Sequence, residues 1–548
     1  MVRVTAYAEL HCLSHFSFGR GASSARECFA RAKKNGYSAL AITDECTLAG
    51  VVRALEASRE SELPLIVGTE ITLNDGLKLV LLAENKTGYS AISRLITQGR
   101  RRSEKGEYSL TREDLADGLE GVLVLWIPDK ALNPIDGEWL RTLFPERVWI
   151  AVQLHRGPND QARLNQLLRL SKSLNIPAVA SGDVHMHVRS RRVVHDTLTA
   201  IHYNTTIAEA GAYLFPNGER HLRTRKALSA IYPETLLAES IRIAERCTFD
   251  LAQLKYQYPQ ELVPNGHTPS SWLRVLTEQG YAWRWPGGVA PKVLKQIEHE
   301  LRLIAELNYE PFFLTVHDIV RFARSQGILC QGRGSAANSA VCFALGVTEV
   351  DPARMNMLFE RFISKERDEP PDIDVDFEHE RREEVMQYVY RRYGRHRAGI
   401  AATIAHYRPR SAVREVGKVL GLSEDITNRL CSTVWGSYAS TMDEKRIRET
   451  GFDPGNPDIA RLNAAMPDRT FIEWDKDDID ALGLMKVDVL ALGMLTCIRK
   501  AFDLMRRHGL GDHNLEVDLD ADDPAVYDML CKGDSIGVFQ VESRAQIN

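Results

Sequence analysis

Short apolar strands alternate with helical segments over roughly the first 205 residues, and this rhythm constrains the fold more than any other feature. Ser24 and Glu27 have the spacing of a capping box at the start of a helix. Gly36 ends that helix before the apolar run YSALAIT. The rhythm returns at LPLIVGTEI, LKLVLLA, GVLVLWI, VWIAVQL and IPAVASGDV. Repeated units of this kind predict a largely parallel sheet that is closed on itself or covered by helices.

Four polar side chains of the types that bind metals lie near the carboxyl ends of these predicted strands. They are Asp44, Glu70, Asp183 and His185. Folds built from repeated strand–helix units place their sites at that end of the sheet. This region is therefore a first candidate for a functional site.

The chain length and the cysteine pattern predict a multidomain protein from a reducing compartment. A chain of 548 residues is too long for one core and suggests three or four domains. No apolar run is long enough for a membrane span, and the start has no apolar signal core. The nine cysteines are scattered, odd in number and without CxxC spacing, which predicts a cytoplasmic chain with no zinc site or disulfide framework.

The remainder of the chain is less regular. Residues from about 206 to 290 show no clear period, and the prolines at 259, 264 and 269 predict a linker or loop. A helix is predicted from Lys292 to Leu307, and residues 421–470 read as polar and rich in loops. The last residues, VESRAQIN, have neither a helix cap nor a polar tail, so we expect a truncated chain.

The strongest chemical signal is the run PDIDVDF at 371–377. Side chains alternate between the two faces of a strand, so Asp372, Asp374 and Asp376 share one face and the apolar residues share the other. Carboxylates this close repel one another unless a cation joins them. Magnesium prefers such oxygen ligands, and two ions could support an in-line displacement at phosphorus. The alternative is an acidic edge strand that discourages pairing with another chain.

A glycine-rich turn lies upstream, at GRGSAANS (332–339), and it leads into the apolar helix AVCFALG. Free backbone N–H groups at a helix start suit an anion such as a triphosphate. Arg333 adds a planar donor that is suited to phosphate. Turns of this kind are common, and the pattern alone is weak.

A third signal is Lys486–Val487–Asp488 within the apolar run LGLMKVDVLAL. Charges in an apolar strand need a partner, because burying an unpaired charge is costly. Lys486 and Asp488 share a face, so Asp488 could supply a third carboxylate and Lys486 could neutralise phosphate. A local salt bridge is the alternative.

Positive charge is concentrated just after the acidic strand, although the net charge of the chain is −5. The residues from Arg391 to Lys418 include many cations and one acid, Glu415. Beside the other three signals, this stretch predicts a contact surface for a nucleic-acid backbone rather than a solvated face. The residues that we expect to contact DNA are Arg391, Arg392, Arg395, Arg408, Arg410, Arg414 and Lys418.

These motifs resemble those of a known family. GRGSAANSAVCFALGVTEVDP, FERFISKERDEPPDIDVDFEHERR, GLMKVDVLALG and GVFQVESRA are similar, in this order, to motifs of the bacterial C-family DNA polymerases, the polymerase III alpha subunits. The runs YAELHCLSHFSF, GLMKVDVLALGMLTC and VESRAQ resemble most the error-prone, damage-tolerant branch.

The resemblance implies an α/β multidomain architecture. A PHP-type, (β/α) barrel-like domain would be followed by a palm of the polymerase β-like nucleotidyltransferase type with a helical thumb inserted in it. The implied boundaries are 1–235 for the PHP domain, 236–403 and 471–497 for the two parts of the palm, 404–470 for the thumb, and 498–548 for the truncated start of the fingers.

Site residues follow from the resemblance by position. Asp372, Asp374 and Asp488 would be the catalytic ligands of two Mg²⁺ ions, and Asp376 would not be catalytic. The residues that would contact the nucleotide triphosphate are Arg333, Gly334, Ser335, Arg361 and Lys486.

The first domain departs from the family pattern at its metal ligands. Metal-binding PHP domains open with His-x-His, whereas this chain has His11-Cys12-Leu13, with Arg20 and Lys78 at two further ligand positions. An apolar side chain cannot bind a metal, and two cations repel one. We therefore expect the remnant Asp44, Glu70, Asp183 and His185 to hold no metal cluster, and the domain to be a structural support without nuclease activity.

The resemblance thus implies a template-directed, error-prone DNA polymerase that acts in translesion synthesis after DNA damage. Its substrates would be primer–template DNA and deoxynucleoside triphosphates. Its partners would be a sliding clamp and accessory mutagenesis proteins, bound through a missing C-terminal part, and no membrane. Two alternatives remain open: a metal-dependent phosphoesterase that uses the first domain, and a non-catalytic DNA-binding platform.

Overall fold

The computed structural model describes most of the chain. The described residues are 5–104, 106–254, 259, 262–349, 351, 373–395, 397–399, 401, 409–433, 474–482, 487–513 and 523–541. They fall into two compact units. The first comprises Met1–Lys255 and Ala401–Asp478, and the second comprises Tyr256–Ile400 and Ile479–Asn548.

The first unit contains one sheet, surrounded by helices. Its strands are β1 (Ala8–Glu9), β2 (Ala39–Ile42), β3 (Leu65–Thr72), β4 (Lys78–Ala83), β5 (Val122–Ile127), β6 (Val148–Val152) and β7 (Ala178–Ala180). Its helices in the amino-terminal segment are α1 (Ala25–Lys34), α2 (Val51–Ser61), α3 (Lys86–Arg101), α4 (Pro134–Leu143), α5 (Asp160–Leu174), α6 (Arg192–His202), α7 (Arg225–Ser229) and α8 (Glu234–Arg246).

The seven strands lie side by side in chain order. Neighbours are parallel except that β4 is antiparallel to both β3 and β5. Beyond the ends of β1 and β7, Cys12 and Val184 form a parallel bridge, and the Leu13 amide donates to the Val184 carbonyl at 2.8 Å. Since this bridge joins the two edges of the sheet, the predicted barrel-like, largely parallel sheet is confirmed, with β4 as the exception.

Local signals at the first helix are also confirmed. The Ser24 side chain accepts from the Glu27 amide, and the Glu27 carboxylate accepts from the Ser24 amide, which is the predicted capping box. The helix ends at Lys34, and Gly36 follows with a φ of +73°. Cys28 and Phe29 on its inner face are fully buried.

A helical hairpin from later in the chain belongs to the first unit. It is formed by α14 (Pro409–Val419) and α15 (Glu424–Thr433), which pack through Val413, Val416 and Leu430. Val419 joins Ala200 and Ala210 in a second small apolar cluster. The Ile207 amide also donates to the Val419 carbonyl at 2.9 Å, so the carboxyl end of α14 is fixed to the segment that follows α6.

The second unit combines helices with a small sheet. Its helices are α9 (Pro269–Arg284), α10 (Pro291–Glu306), α11 (Glu310–Ser325), α12 (Ala340–Ala344), α13 (Arg382–Tyr393), α17 (Gly493–Arg507) and α18 (Pro524–Cys531). Its strands are β8 (Cys330–Arg333), β9 (Asp374–Glu378) and β10 (Asp488–Leu492). One further short helix, α16 (Lys476–Ala481), precedes β10 in the chain.

In this small sheet β9 is the central strand, parallel to β10 and antiparallel to β8. Ile373, Val375 and Phe377 are each at most 1% exposed and lie in the main apolar core of the unit, beside Phe312 of α11 and Val341 of α12. The predicted alternation of apolar and acidic faces along this strand is therefore confirmed.

The expectation of an irregular region between about 206 and 290 is wrong. That stretch contains α7, α8 and α9. Pro269, interpreted as part of a loop, is the first residue of α9 behind the N-cap Thr268. A proline is tolerated there because the first amides of a helix have no intrahelical acceptor. Residues 424–433, expected to be loop-like, form α15.

None of the helices in the described ranges combines the length and the apolar character that crossing a bilayer requires.

Candidate functional site

Three predicted site residues lie in one row across the small sheet of the second unit. Asp374 on β9 is in register with Asp488 on the parallel strand β10. On its other side Asp374 is in register with Arg333, the last residue of the antiparallel strand β8. Neighbouring strands are about 4.8 Å apart, and residues in register project to the same face. The sheet thus brings two carboxylates and one guanidinium together.

Arg333 is the positive group of this row. Its Nη2 lies 3.8 Å from Oδ2 of Asp374, and its Nε lies 3.3 Å from Oδ2 of Asp376. The Arg333 side chain is 51% exposed, so the guanidinium can reach a ligand above the sheet. Burial raises the pKa of Asp376; Arg333 opposes that shift and Asp374 adds to it. The positive charge of Arg333 therefore favours the ionised form of Asp376.

The glycine-rich turn begins directly after β8. Gly334–Asn338 is a 3-10 helix, and α12 follows with Ser339 as its N-cap. Because Gly334 succeeds Arg333, the start of the turn lies at the end of the strand that carries the row of charges. The turn therefore begins one strand away from Asp374 and two strands away from Asp488.

The start of α12, however, does not offer the free amides that its sequence predicted. The carboxylate of Glu300, from α10, accepts from the amides of Ala340 and Val341 at 2.9 and 3.0 Å, and from the Ser339 hydroxyl at 2.8 Å. Burial raises the pKa of Glu300 to about 7, and these hydrogen bonds oppose the shift. An internal carboxylate thus occupies the place that we had expected an external anion to take.

Four predicted site residues lie outside the described residues. These are Asp372, Arg361, Lys486 and Arg408. The side chains of Gly334 and Ser335 are likewise outside the described part, although their backbone is within it. The described part of the site is therefore Arg333, Asp374 and Asp488.

The predicted DNA-contacting residues are divided between the two units. Arg391 and Arg392 are exposed at the end of α13, and Arg395 follows in the loop of the second unit. Arg410, Arg414 and Lys418 are exposed on α14 of the first unit, one helical turn apart. The stretch is therefore a set of two basic helix surfaces, one on each unit.

The first unit holds a separate cluster of metal-ligand types at the carboxyl end of its sheet. Ligand atoms of His11, Glu70 and Asp183 all lie within 4.8 Å of one another, and all three residues are buried. The His11 Nε2 is 2.7 Å from Oε2 of Glu70, while its Nδ1 is 3.0 Å from the amide nitrogen of Gln153. Since the Gln153 amide must donate, this pattern assigns the imidazole proton to Nε2, which donates to Glu70.

Cations already neutralise both carboxylates of this cluster. Arg20 and Lys78 lie 2.6 and 2.9 Å from Glu70, and Arg220 pairs with Asp183. Burial alone would raise the pKa of Glu70, but Arg20, Lys78 and His11 outweigh it and hold the pKa well below its ordinary range. These residues do not fit a divalent metal, because its charge would meet three cations and a protonated ligand nitrogen.

Two members of the expected remnant have other partners. Asp44 accepts from the Ser14 amide and the Ser17 hydroxyl, both at 2.7 Å, and from the Ser14 hydroxyl at 2.6 Å. The His185 Nε2 lies 3.1 Å from Asp183. His11 was not in the predicted remnant, although it is the surviving first histidine of the His-x-His pattern and lies at the centre of the cluster.

Together these features describe a two-unit α/β protein with two carboxylates and an arginine in one row across the small sheet of the second unit. Three family models match in succession: the PHP domain over residues 9–169, the bacterial DNA polymerase III alpha NTPase domain over 271–464, and the finger domain of the same subunit over 494–548. The chain belongs to the family of bacterial DNA polymerase III alpha subunits.

Its curated relatives specify the branch of that family. The chain is 58% identical to an error-prone DNA polymerase of Pseudomonas fluorescens (strain Pf0-1) and 56% identical to one of Pseudomonas aeruginosa. The alignments include 99% and 100% of this chain and 56% of each relative. The chain thus spans about half the length of the curated relatives that it matches.

Among solved structures, an amidohydrolase from Chromobacterium violaceum is similar with 16% identity and a TM-score of 0.26. The alignment covers 33% of this chain and 88% of that one.

Proposed function

We propose that this chain carries the catalytic centre of an error-prone, template-directed DNA polymerase that acts in translesion synthesis. The observation that carries the proposal is the row formed by Arg333, Asp374 and Asp488 across the small sheet. The identity to error-prone DNA polymerases supports the same activity. The reaction would join the primer 3′-hydroxyl oxygen to the α-phosphorus of a deoxynucleoside triphosphate, with release of pyrophosphate.

In this proposal Asp372, Asp374 and Asp488 hold two magnesium ions. The neighbouring carboxylates fit magnesium, which prefers oxygen ligands together with substrate phosphates. Bound magnesium supplies Lewis acidity at the hydroxyl and neutralises charge on the leaving pyrophosphate. Arg333, Gly334, Ser335, Arg361 and Lys486 orient the triphosphate.

The domain assignment is part of the proposal. Residues 236–403 and 471–497 form the palm, 404–470 form the thumb, and the fingers begin at 498. The chain works in the cytoplasm on primer–template DNA. A sliding clamp and accessory mutagenesis proteins are its proposed partners.

The PHP domain supports the palm in this proposal and hydrolyses no phosphoester. Arg20, Lys78 and Arg220 supply the positive charge that metal ions would otherwise bring to Glu70 and Asp183. The replacement of metal ions by cationic side chains also weakens the alternative of a metal-dependent phosphoesterase, because such an enzyme needs a metal-bound water at that position.

Primer extension by the protein as it is made in the cell tests the polymerase proposal. Asp374→Asn and Asp488→Asn each remove a metal ligand while keeping shape, and we expect nucleotide incorporation to fall by at least about a thousandfold. Affinity for primer–template DNA stays within about twofold, since most DNA contacts are made by cations. The matched control is Asp512→Asn, an exposed aspartate that pairs with Arg506.

The result also separates the polymerase from a DNA-binding platform. A protein that only binds DNA would show the same function in Asp374→Asn as in the parent. If Asp374→Asn and Asp488→Asn incorporate nucleotides as fast as Asp512→Asn does, the proposed site is wrong.

A further inference from the structure

Two tyrosines form an exposed aromatic stack on the first unit, next to α14. The rings of Tyr203 and Tyr213 are 3.9 Å apart between centroids and 13° from parallel. The residues are 50% and 53% exposed, which is unusual for aromatic side chains of this size. The two rings use one face each on one another, and the His202 ring lies 4.9 Å from the Tyr203 ring and nearly perpendicular to it.

The stack is held beside the basic face of α14. Asn204, next to Tyr203 in the chain, accepts from the Lys418 ammonium at 2.8 Å. On the apolar side, Ile207 and Val419 are joined by a backbone hydrogen bond. Tyr203 is thus within side-chain reach of the carboxyl end of α14.

The exposed face of α14 carries a line of positive charge. Arg410, Arg414 and Lys418 are four residues apart and exposed, whereas Val413 and Val416 face the hairpin core. Residues at this spacing lie on one side of a helix, about 6 Å apart along its axis. Within the segments 203–213 and 409–419 the acids are Glu209 and Glu415. The Glu209 carboxylate accepts from the Thr206 hydroxyl at 2.9 Å.

We propose that α14 and the segment 203–213 of the PHP domain form one binding surface for single-stranded DNA, the unpaired template. Arg410, Arg414 and Lys418 follow the phosphates, and the Tyr203–Tyr213 stack receives an unpaired base. Grooves for single strands combine a basic track with aromatic rings because every base has a stackable face. A duplex would offer the phosphates but not the base faces.

This inference deepens the proposed function, on which it rests, and gives the PHP domain a role in holding substrate. The surface lies within one unit, since both segments belong to the first. A PHP domain without a metal cluster would then contribute directly to template binding through its surface.

The test is the affinity of the chain for a labelled oligo(dT) of about 16 nucleotides, measured by fluorescence anisotropy. We expect Tyr203→Ala and Tyr213→Ala each to weaken binding at least about fivefold, because base stacking contributes this much or more. Tyr203→Phe keeps the ring and stays within about twofold. Tyr527→Ala, an equally exposed tyrosine of α18 in the second unit, is the matched control and leaves binding unchanged.

The basic track has a distinct signature. Lys418→Gln should lower the slope of log affinity against log salt concentration by about 0.7, the value for one phosphate contact on a single strand. Tyr203→Ala should leave that slope unchanged, because stacking releases no counterions.

Two outcomes overturn the proposal. One is that Tyr203→Ala and Tyr213→Ala, with unchanged thermal melting, bind oligo(dT) like the parent. The other is that these variants lose duplex affinity as much as single-strand affinity, which assigns the surface to duplex DNA. Either result leaves the polymerase proposal intact, because that one depends on nucleotide incorporation by the parent and its loss in Asp374→Asn.

Discussion

Glu300 shows how a single buried side chain can shape the candidate site. It is fully buried on α10, and its carboxylate holds the first amides of α12, directly after the glycine-rich turn. A carboxylate that accepts from helix amides is stabilised by the partial positive charge of the helix start. The hydrogen bonds of Glu300 therefore hold the start of α12, directly behind the turn.

Stability should depend on pH through this residue. Its pKa is about 7 in the folded chain and about 4.3 in an unfolded one, so between these values only the folded state holds the proton. The free energy of unfolding therefore falls as pH rises through this window, by on the order of 3 kcal/mol, and is level above it. Glu300→Gln removes this contribution.

Urea unfolding at about pH 5 and about pH 8 measures the effect. We expect the unfolding free energy of the parent, minus that of Glu300→Gln, to be smaller at about pH 8 than at about pH 5. Glu298→Gln, an exposed neighbour that pairs with Arg274, should show no such change. A difference that is the same at both pH values would contradict the assigned pKa.

Which residues matter could be read only partly from the sequence. Asp374 and Asp488 were found because charge in an apolar strand is conspicuous. Glu300 and His11 were missed because their partners, at 339–341 and at 70, 153 and 183, are distant in the chain. A local signal existed for Glu300: it lies in the apolar stripe of α10 between Ile297 and Ile304, where a lone acid needs a partner.

At the scale of elements, the periodicity of the sequence predicted where strands lie and which faces they bury, but not which strands pair. The alternation at 373–377 gave both faces of β9. That Asp488 lies opposite Asp374 depends on strand pairing across more than a hundred residues, which no local pattern encodes. Prolines caused the opposite error at α9, because Pro269 at a helix start has the same sequence signature as a turn.

The segment Trp474–Asp478 is an element whose placement depends on one arginine. Arg53 on α2 binds Asp478 at 2.9 Å and Asp475 at 3.0 Å, and the Trp474 indole donates to the Leu48 carbonyl at 3.3 Å. Burial raises the pKa of Asp478 to about 6, and Arg53 opposes that shift. Without Arg53, a buried carboxylate would lose its counter-charge, which typically costs about 3–5 kcal/mol.

We therefore expect Arg53→Ala to release this segment from α2. Hydrogen exchange at 474–478 should become at least about tenfold faster, because the local opening free energy falls by more than 1.4 kcal/mol. Arg59→Ala, an exposed arginine on the same helix, is the matched control. Unchanged exchange in Arg53→Ala would mean that Trp474 alone holds the segment.

At the scale of the whole molecule, the two units solve the same electrostatic problem differently. Both gather carboxylates at the end of a sheet. In the first unit Arg20, Lys78 and Arg220 neutralise them. In the second, among the residues that the structure describes, the partly exposed Arg333 faces Asp374 and Asp376.

Metal binding should therefore occur in the second unit. With manganese as a probe for magnesium, equilibrium dialysis should detect binding to the parent and to His11→Ala, but at least about tenfold weaker binding to an Asp374→Asn, Asp488→Asn double variant. The reverse pattern, with binding lost in His11→Ala and kept in the double variant, would place the metal in the PHP domain.

The parallel pairing of β9 with β10 also means that the candidate site can form only late in translation. Asp374 leaves the ribosome long before Asp488, and the chain between them must be made before the two strands can meet. A nascent chain interrupted anywhere in that interval carries the glycine-rich turn and the acidic strand with Asp374, but lacks Asp488. For an enzyme proposed to copy DNA with errors, such incomplete products of translation would therefore lack one of the proposed metal ligands.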